Sequence, residues 1–564
     1  MQHSHTPQDR PARPGQMSWS GWGDPSRATP LPGPAAALLE TAFGPSAGHA
    51  PVPLDSVRLP SRRLAGPARA ALVNVVGQAH VSEAPEARIR HTRGKSTTDL
   101  LRMRAGDADD APDAVIEPAD HEEVLGVLRA CEEHGIAVVP FGGGTSVVGG
   151  LAPRREGWRG VVALDLRRLD RLVALDAISR VATLGAGLTG PAAEALLRDR
   201  GFTLGHFPQS FEYATIGGFA ATRSSGQASA GYGRFDGMVQ GLRVATPRGS
   251  LTLGTAPASA AGPDLRQLVL GSEGAFGVIT EVTVRVRPVP DTCIYETWRV
   301  ASFAEGIDVV RDLAQGGALP TVLRLSDEAE TALSLASPDS LGTPARGGCS
   351  IVVGYEGAAD QVAKARDAAS ARLASRGALP EGEEGGRAWE RGRFQAPYLR
   401  DRLLDAGVFV ETLETAAFWS RISEVYAGVR RALVAHLGVD RADPGDSQDG
   451  EDDGDRWGGG DRGGRAPVLV LCHVSHVYET GASLYFTVAA KPGDHPLERW
   501  REAKAAATEA MLEHGATITH HHAVGRDHRD WLAEEVGDLG VEVLRAVKAT
   551  LDPRGILNPG VLVP

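Results

Sequence analysis

At 564 residues the chain exceeds what one hydrophobic core supports, so two or three domains are expected. Its 42% apolar and 23% charged residues are those of a globular enzyme, and a net charge of −12 argues against nucleic acid or an anionic membrane surface as the main partner. Cys131, Cys293, Cys349 and Cys472 lie far apart, which excludes a disulfide scaffold and a cysteine-rich metal site and points to a reducing compartment.

No run approaches the ~18–20 apolar residues of a membrane span. The polar start lacks the pattern of a signal peptide, and the final Val-Leu-Val-Pro carries no peroxisomal tripeptide. The excess of 54 arginines over 5 lysines, with abundant Ala and Gly, points to a GC-rich bacterial genome. The expectation is a soluble cytoplasmic protein.

In chain order, residues 1–16 read as a disordered tail, followed by a proline-rich stretch with a short helix over 35–43. A strand within 112–118 leads to a helix that Asp120 can N-cap, with Glu122 and Glu123 opposing the positive end of its dipole and Gly135 ending it. Residues 136–140 form the next strand. Further strands are predicted over 160–166, 180–184, 241–247 and 278–286, with a helix over 190–200. Beyond Pro290 the texture changes. Strand-like runs (295–300, 350–354, 483–489) alternate with amphipathic helices (303–314, 358–376, 418–437, 496–514), as a second domain would. Residues 441–465, with 8 acids, 4 arginines and many glycines, cannot build a core and read as a solvated insert. The expected organisation is α+β: an N-terminal extension (1–110), a cofactor domain (111–290), a cap domain (291–510) and a C-terminal segment returning to the cofactor (511–564).

The glycine loop Pro140, Phe141, Gly142, Gly143, Gly144, Thr145, Ser146 directly follows a strand. Backbone N–H groups without Cβ obstruction can wrap a phosphate there, and two hydroxyls add donors. It lacks the Lys-Ser/Thr ending of a P-loop and is not the GxGxxG of a dinucleotide fold. Alone it is equally a flexible turn. Three further glycine-and-hydroxyl blocks accompany it: residues 207–226, 270–279 and 552–560. Close approach to a large planar cofactor bearing a pyrophosphate calls for such segments.

Four of these segments resemble the flavin-contacting parts of the vanillyl-alcohol-oxidase-type FAD-binding superfamily. They are the glycine loop; Gln209, Ser210, Phe211, Glu212, Tyr213, Ala214 and Thr215; Thr222, Arg223, Ser224 and Ser225; and Glu273, Gly274, Ala275, Phe276, Gly277, Val278 and Ile279. Within that superfamily the chain is similar to the alkylglycerone-phosphate (alkyldihydroxyacetonephosphate) synthase family. The likeness runs from the Trp-Ser-Gly-Trp-Gly-Asp at Trp19 to the C-terminus. It includes the runs at 322–327, 397–401, 410–415 and 472–486, and the His520-His521-His522 motif.

The resemblance implies a two-subdomain FAD-binding domain of the PCMH type with an α/β cap, and noncovalent FAD. It implies exchange of the acyl group of 1-acyl-dihydroxyacetone phosphate for a long-chain alcohol by way of the flavin N5, with no net redox change. It also implies an apolar tunnel that the sequence does not locate. Arg400 would grip the substrate phosphate, Tyr485 with His520, His521 and His522 would manage protons, and Arg324 would position substrate and flavin. Arg324 sits in an apolar run, where burial without a partner is costly, so a ligand or flavin partner is expected. The three histidines follow what reads as a buried strand at 516–519. If extended they would alternate in facing, which makes a three-ligand metal site from this run sterically poor, and no metal is expected.

Two departures, Gln209 where the family carries Asp and His473 where it carries Arg, bear on the head-group contacts. Lipid substrates, a homodimer and a peripheral membrane contact complete the expectation. The rival reading is a FAD-linked 2-hydroxyacid dehydrogenase, against which stands His-His-Ala where such enzymes show Glu-His-Gly. A non-catalytic flavin scaffold is the third.

Overall fold

The computed structural model describes residues 15–564 apart from 29, 32, 45–47, 334–346 and 441–466. The acidic insert and most of the N-terminal tail therefore lie outside the described residues.

The first layer is a small sheet ordered Val81–Ser82, Ala114–Ile116, Gly160–Asp165, Ile136–Phe141; its three longer strands run parallel. The helix between two of them, His121–His134, starts where the Asp120 carboxylate accepts the N–H of Glu123, and it ends at Gly135 in the left-handed conformation (φ 68°, ψ 42°) that a Cβ would strain. The C-terminal tail adds to the open edge: Val138 donates to Ile556 and Asn558 donates back to Val138.

Part of the segment before residue 110 is built into this layer. Helix Gly66–Val76 buries Ala68, Leu72 and Val76 in the core of this sheet, and Val81–Ser82 is one of its strands. A second, antiparallel sheet is ordered Leu172–Asp176, Val181–Gly185, Val278–Arg285, Val239–Thr246, Gly249–Leu253.

The cap is built on a larger sheet. Its path runs Leu379–Gly382, Thr292–Val300, Cys349–Gly357, Val322–Ser326, Pro467–Val477, Gly481–Ala490, Phe409–Phe418, with antiparallel neighbours throughout. Helices Phe303–Gln315, Ala359–Ser375, Ile422–Leu437 and Pro496–Glu513 supply apolar side chains to the core beneath it. Because side chains alternate along a strand, Leu323, Leu325, Cys472, Val474, Leu484, Phe486 and Leu413 enter that core while the intervening residues face the other way, toward the cofactor domain.

Two expectations fail here. The helix expected from residue 418 begins at Ile422, because Phe418 ends a strand. Residues 516–519 are not a strand: Thr517 makes a single backbone bond to Ala416 and the chain then turns.

Candidate active site

A cavity of about 730 Å³ lies between the cofactor domain and the cap. Its cofactor-side wall begins where strand Ile136–Phe141 ends. A Cβ on Gly143 would lie 2.0 Å from the Tyr213 carbonyl oxygen and one on Gly142 would lie 2.4 Å from Thr215 Oγ1, so only glycine lets these two segments touch. Among the described residues no partner receives the backbone N–H groups of Gly143, Gly144, Thr145 and Ser146. The Ser146 hydroxyl and the Gln227 side-chain oxygen, both buried and both on the wall, are also unpartnered. Unpaired polar groups around a glycine cradle fit a bound pyrophosphate-bearing group. The C-terminal tail locks the cradle from behind, with Asn558 Nδ2 donating to the carbonyls of Gly150 and Glu273.

Pro140 to Ser146, Gln209, Ser210, Ala214, Thr215, Thr222, Ser224, Ser225, Glu273, Gly274, Gly277, Val278 and Ile279 all line this cavity. Other residues of the same segments turn away. Phe211 stacks on Phe394 at 5.4 Å, Glu212 pairs with Arg27, and Tyr213 packs edge-on to Trp22. Arg223 donates to the carbonyls of Leu270 and Gln267, and Ala275 and Phe276 enter an apolar cluster with Ile518 and Val561. Gln209 donates to the Arg393 carbonyl across the domain boundary.

The cap-side wall is built on a row of residues at one level of the sheet, of which His473 and Tyr485 line the cavity. Ser326 pairs with His473, His473 with Tyr485 and Tyr485 with Glu414 in neighbouring strands, so the four share a face, with Arg324 two residues from Ser326. The His473 and Tyr485 rings stack at 4.9 Å. Arg324 has partners within the protein: its guanidinium pairs with Glu330 and lies 3.0 Å from His473 Nδ1, which is 2.9 Å from Glu330, while its buried Nε is unpartnered at the cavity wall. Burial opposes ionisation of Glu330, but the charges of Arg324 and His473 outweigh it and hold the carboxyl below its usual range. Tyr485 is pushed up to about 12, mainly by burial, and stays a neutral phenol.

Glu414 closes the row and shapes the histidine run. Its carboxylate accepts the N–H groups of His520 (2.7 Å), His521 (3.1 Å) and His522 (2.9 Å) and the Thr519 hydroxyl (2.7 Å). Three consecutive amides converge on one anion, so the run is a turn, and the alternation expected of an extended strand does not arise. His521 and His522 line the cavity, whereas His520 packs against Tyr478 and His476. Burial works against the Glu414 charge, but the three imidazoles and Thr519 hold its pKa well below the ordinary value. Burial lowers His521 and lowers His522 to about 3, so both rings are neutral proton acceptors at pH 7.

Arg400 lines the same cavity, held by Asp401 (2.9 Å) and the Lys95 carbonyl. Lys95 lies beside it, donating to the Ser18 carbonyl at 2.7 Å; burial, partly offset by Asp401, brings its pKa down to about 7. With Arg391 and Arg393, also on the wall, this makes a cationic lining suited to a phosphate. Leu31, Ala35, Leu39, Leu333, Leu403 and Leu469 line the cavity as well and give it an apolar patch that sequence reasoning did not locate.

Lys95, Glu414 and His476 were also missed. A rare lysine in a Gly-Lys-Ser run was a visible signal for the first. The second lies in the 410–415 run, which read as a family mark rather than a strand. The third becomes a cavity residue through a register shift between Val474 and Val477, which brings both Ser475 and His476 to the wall.

A family model for the C-terminal domain of FAD-linked oxidases matches residues 290–562, and one for an FAD-binding domain matches residues 112–254. The alkyldihydroxyacetonephosphate synthase of Trypanosoma brucei brucei is 32% identical over 501 residues, 85% of this chain and 77% of that protein. The Dictyostelium discoideum protein of the same name is 31% identical over 498 residues, with the same coverage. The chain belongs to the alkyldihydroxyacetonephosphate synthase family. A solved alkyldihydroxyacetonephosphate synthase superposes with a TM-score of 0.79 at 26% identity, covering 96% of this chain and 98% of its own. Like other members of the alkyldihydroxyacetonephosphate synthase family, the chain is an FAD-dependent enzyme. The glycine cradle with its free amides is where this chain's residues fit the cofactor.

Proposed function

We propose that this protein exchanges the acyl group of 1-acyl-dihydroxyacetone phosphate for a long-chain alcohol, forming an ether lipid precursor. The observation that carries the reading is one cavity whose wall combines a flavin cradle, the cationic set of Lys95 and Arg400, the Tyr485–His521–His522 group and an apolar patch. Arg400, pre-oriented by Asp401, binds the phosphate through its planar donors, with Lys95 adding charge. His521 and His522, neutral and anchored through Glu414, accept a proton from the substrate carbon and one from the alcohol; one of these returns to that carbon as the ether is released and the other leaves with the fatty acid. Tyr485 donates a hydrogen bond to the departing carboxylate. The apolar lining receives the hydrocarbon chain. When bound noncovalently, FAD supplies an electrophilic ring nitrogen to the exchange. Arg324 acts through its neighbours: by holding Glu330 it orients His473 against the Tyr485 ring.

We place the reaction in the cytoplasm, carried out by a homodimer that meets membranes peripherally. The free cysteines and the exposed Leu539 and Val543 on one face of the last helix support that placement. The test is incubation of the purified FAD-loaded protein with acyl-dihydroxyacetone phosphate and hexadecanol, with mass spectrometry for the ether. An ether product supports the reading. No ether, with D-lactate or a related hydroxyacid bleaching the flavin, transfers the assignment to a hydroxyacid dehydrogenase.

A further inference from the structure

The His520–His522 run supplies too few converging nitrogens for a metal by itself, but the cap supplies another. One nitrogen from each of His476, His520 and His521 lies within 4.8 Å of those of the other two. We propose that these three side chains form a binding site for a divalent transition-metal ion of the zinc or cobalt class. The proposal rests on ligand geometry; an ion there fixes the His521 hydrogen on Nε2, so with the site filled the proton acceptor of the alkyl-transfer reading is His522.

Two of the three ligands already have the outer partners that orient a metal-binding imidazole. Nδ1 of His476 lies 2.7 Å from the Ser229 hydroxyl and 3.0 Å from that of Ser225, which leaves Nε2 with its lone pair to offer. Nε2 of His520 lies 2.7 Å from the Tyr478 hydroxyl, which leaves Nδ1. That Nδ1 faces Nδ1 of His521 at 2.9 Å. In the metal-free protein one of this pair carries the hydrogen that joins them. An ion would use both lone pairs, and 2.9 Å is the span of two bonds of roughly 2.0–2.1 Å meeting near 90°.

Coordination moves the hydrogen of His521 from Nδ1 to Nε2, so the ring stays neutral and no proton is released. The His476 nitrogen, within 4.8 Å of the other two, has to close to the roughly 3.3 Å separation of a tetrahedral site. The Glu414 carboxylate, 3.4 Å from His521 Nδ1, supplies the negative charge that a buried dication needs. An all-nitrogen donor set selects zinc, cobalt, nickel or copper over magnesium or calcium. His476 and His521 border the cavity, which places the open coordination positions toward substrate.

The test uses FAD-loaded protein stripped with a chelator and dialysed against Co²⁺. One equivalent should be retained, with the visible absorption of nitrogen-coordinated Co²⁺. His476→Gln should lose both signals, whereas His436→Gln, at an exposed histidine elsewhere, should keep them. Tyr478→Phe, which removes an outer partner, should weaken retention about 10–100-fold. Less than one equivalent in the wild type, or equal retention by His476→Gln, overturns the proposal. If His476→Gln does not retain flavin, Tyr478→Phe decides, and unchanged affinity there overturns it.

Discussion

Replacing Glu414 by Gln asks whether one buried carboxylate holds the histidine turn in place. In the more favourable orientation the amide oxygen replaces Oε1 and keeps the bonds from Thr519 and from the amides of His521 and His522. The new NH₂ then confronts the His520 N–H, which now bonds Oε2, and an unpaired buried donor costs about 1–3 kcal/mol. The three surviving bonds weaken as well, because a bond to a charged acceptor contributes roughly 1.5–3 kcal/mol and a neutral one about 1. The sum is roughly 3–9 kcal/mol, concentrated in the turn at 519–522. At about 1.4 kcal/mol per factor of ten, that raises local opening more than 100-fold.

Hydrogen-exchange mass spectrometry of peptides spanning 516–525 should show the acceleration. The kcat should fall about 10–100-fold, since a displacement of about 1 Å costs that much. FAD retention should be unchanged, because Glu414 touches none of the flavin segments. The pH response has a sign. The Glu414 pKa is depressed from 4.5 in the folded protein, so its contribution is fully present above about 4.5 and is lost as the pH falls below it. The Gln variant should lack that acid-side loss. Wild-type exchange together with wild-type turnover in Glu414→Gln would refute the positioning role.

Gly143→Ala would put a methyl group 2.0 Å from the Tyr213 carbonyl oxygen, so the purified variant should lack flavin absorbance while remaining folded by circular dichroism. Arg324→Ala strands the Glu330 carboxylate and should destabilise the cap by about 3–5 kcal/mol in denaturant unfolding, with Glu330→Gln in the same chain recovering much of it; a double variant no better than the single contradicts the pairing. Burial pushes Glu273 up from 4.5 to about 8, so between those values the folded chain holds the extra proton and loses up to about 1.4 kcal/mol per pH unit on going up. Glu273→Gln should flatten the decline in thermal stability from pH 5 to 8, and an unchanged slope would show that another group titrates.

Much of the frame was legible because it is local. Asp120 caps its helix, Gly135 ends it, and the glycine loop leaves a strand, as expected from propensity and side-chain chemistry within a few residues. The ends of cap elements were less so. Phe418 and residues 516–519 look helical and strand-like by pattern, but pairing with Gly481 and the pull of Glu414 decide their conformation. Within the flavin segments the sequence shows which stretches approach a cofactor, not which side chains in them do, so Phe211, Arg223 and Phe276 turned out to serve packing.

What the sequence determined by itself was the set of ingredients: glycine cradles, a cap of alternating strands and helices, and the arginine, tyrosine and histidines of a family. Only tertiary structure decided who faces whom. Arg324 found Glu330 and His473 as partners, Lys95 from the N-terminal region came beside Arg400, and a bulge turned His476 to the cavity. The reason is physical. Strand alternation and capping act over a few residues, whereas the partner of a buried charge is set by sheet register between strands 63 to 149 positions apart in sequence, and a shift of one residue reverses every face.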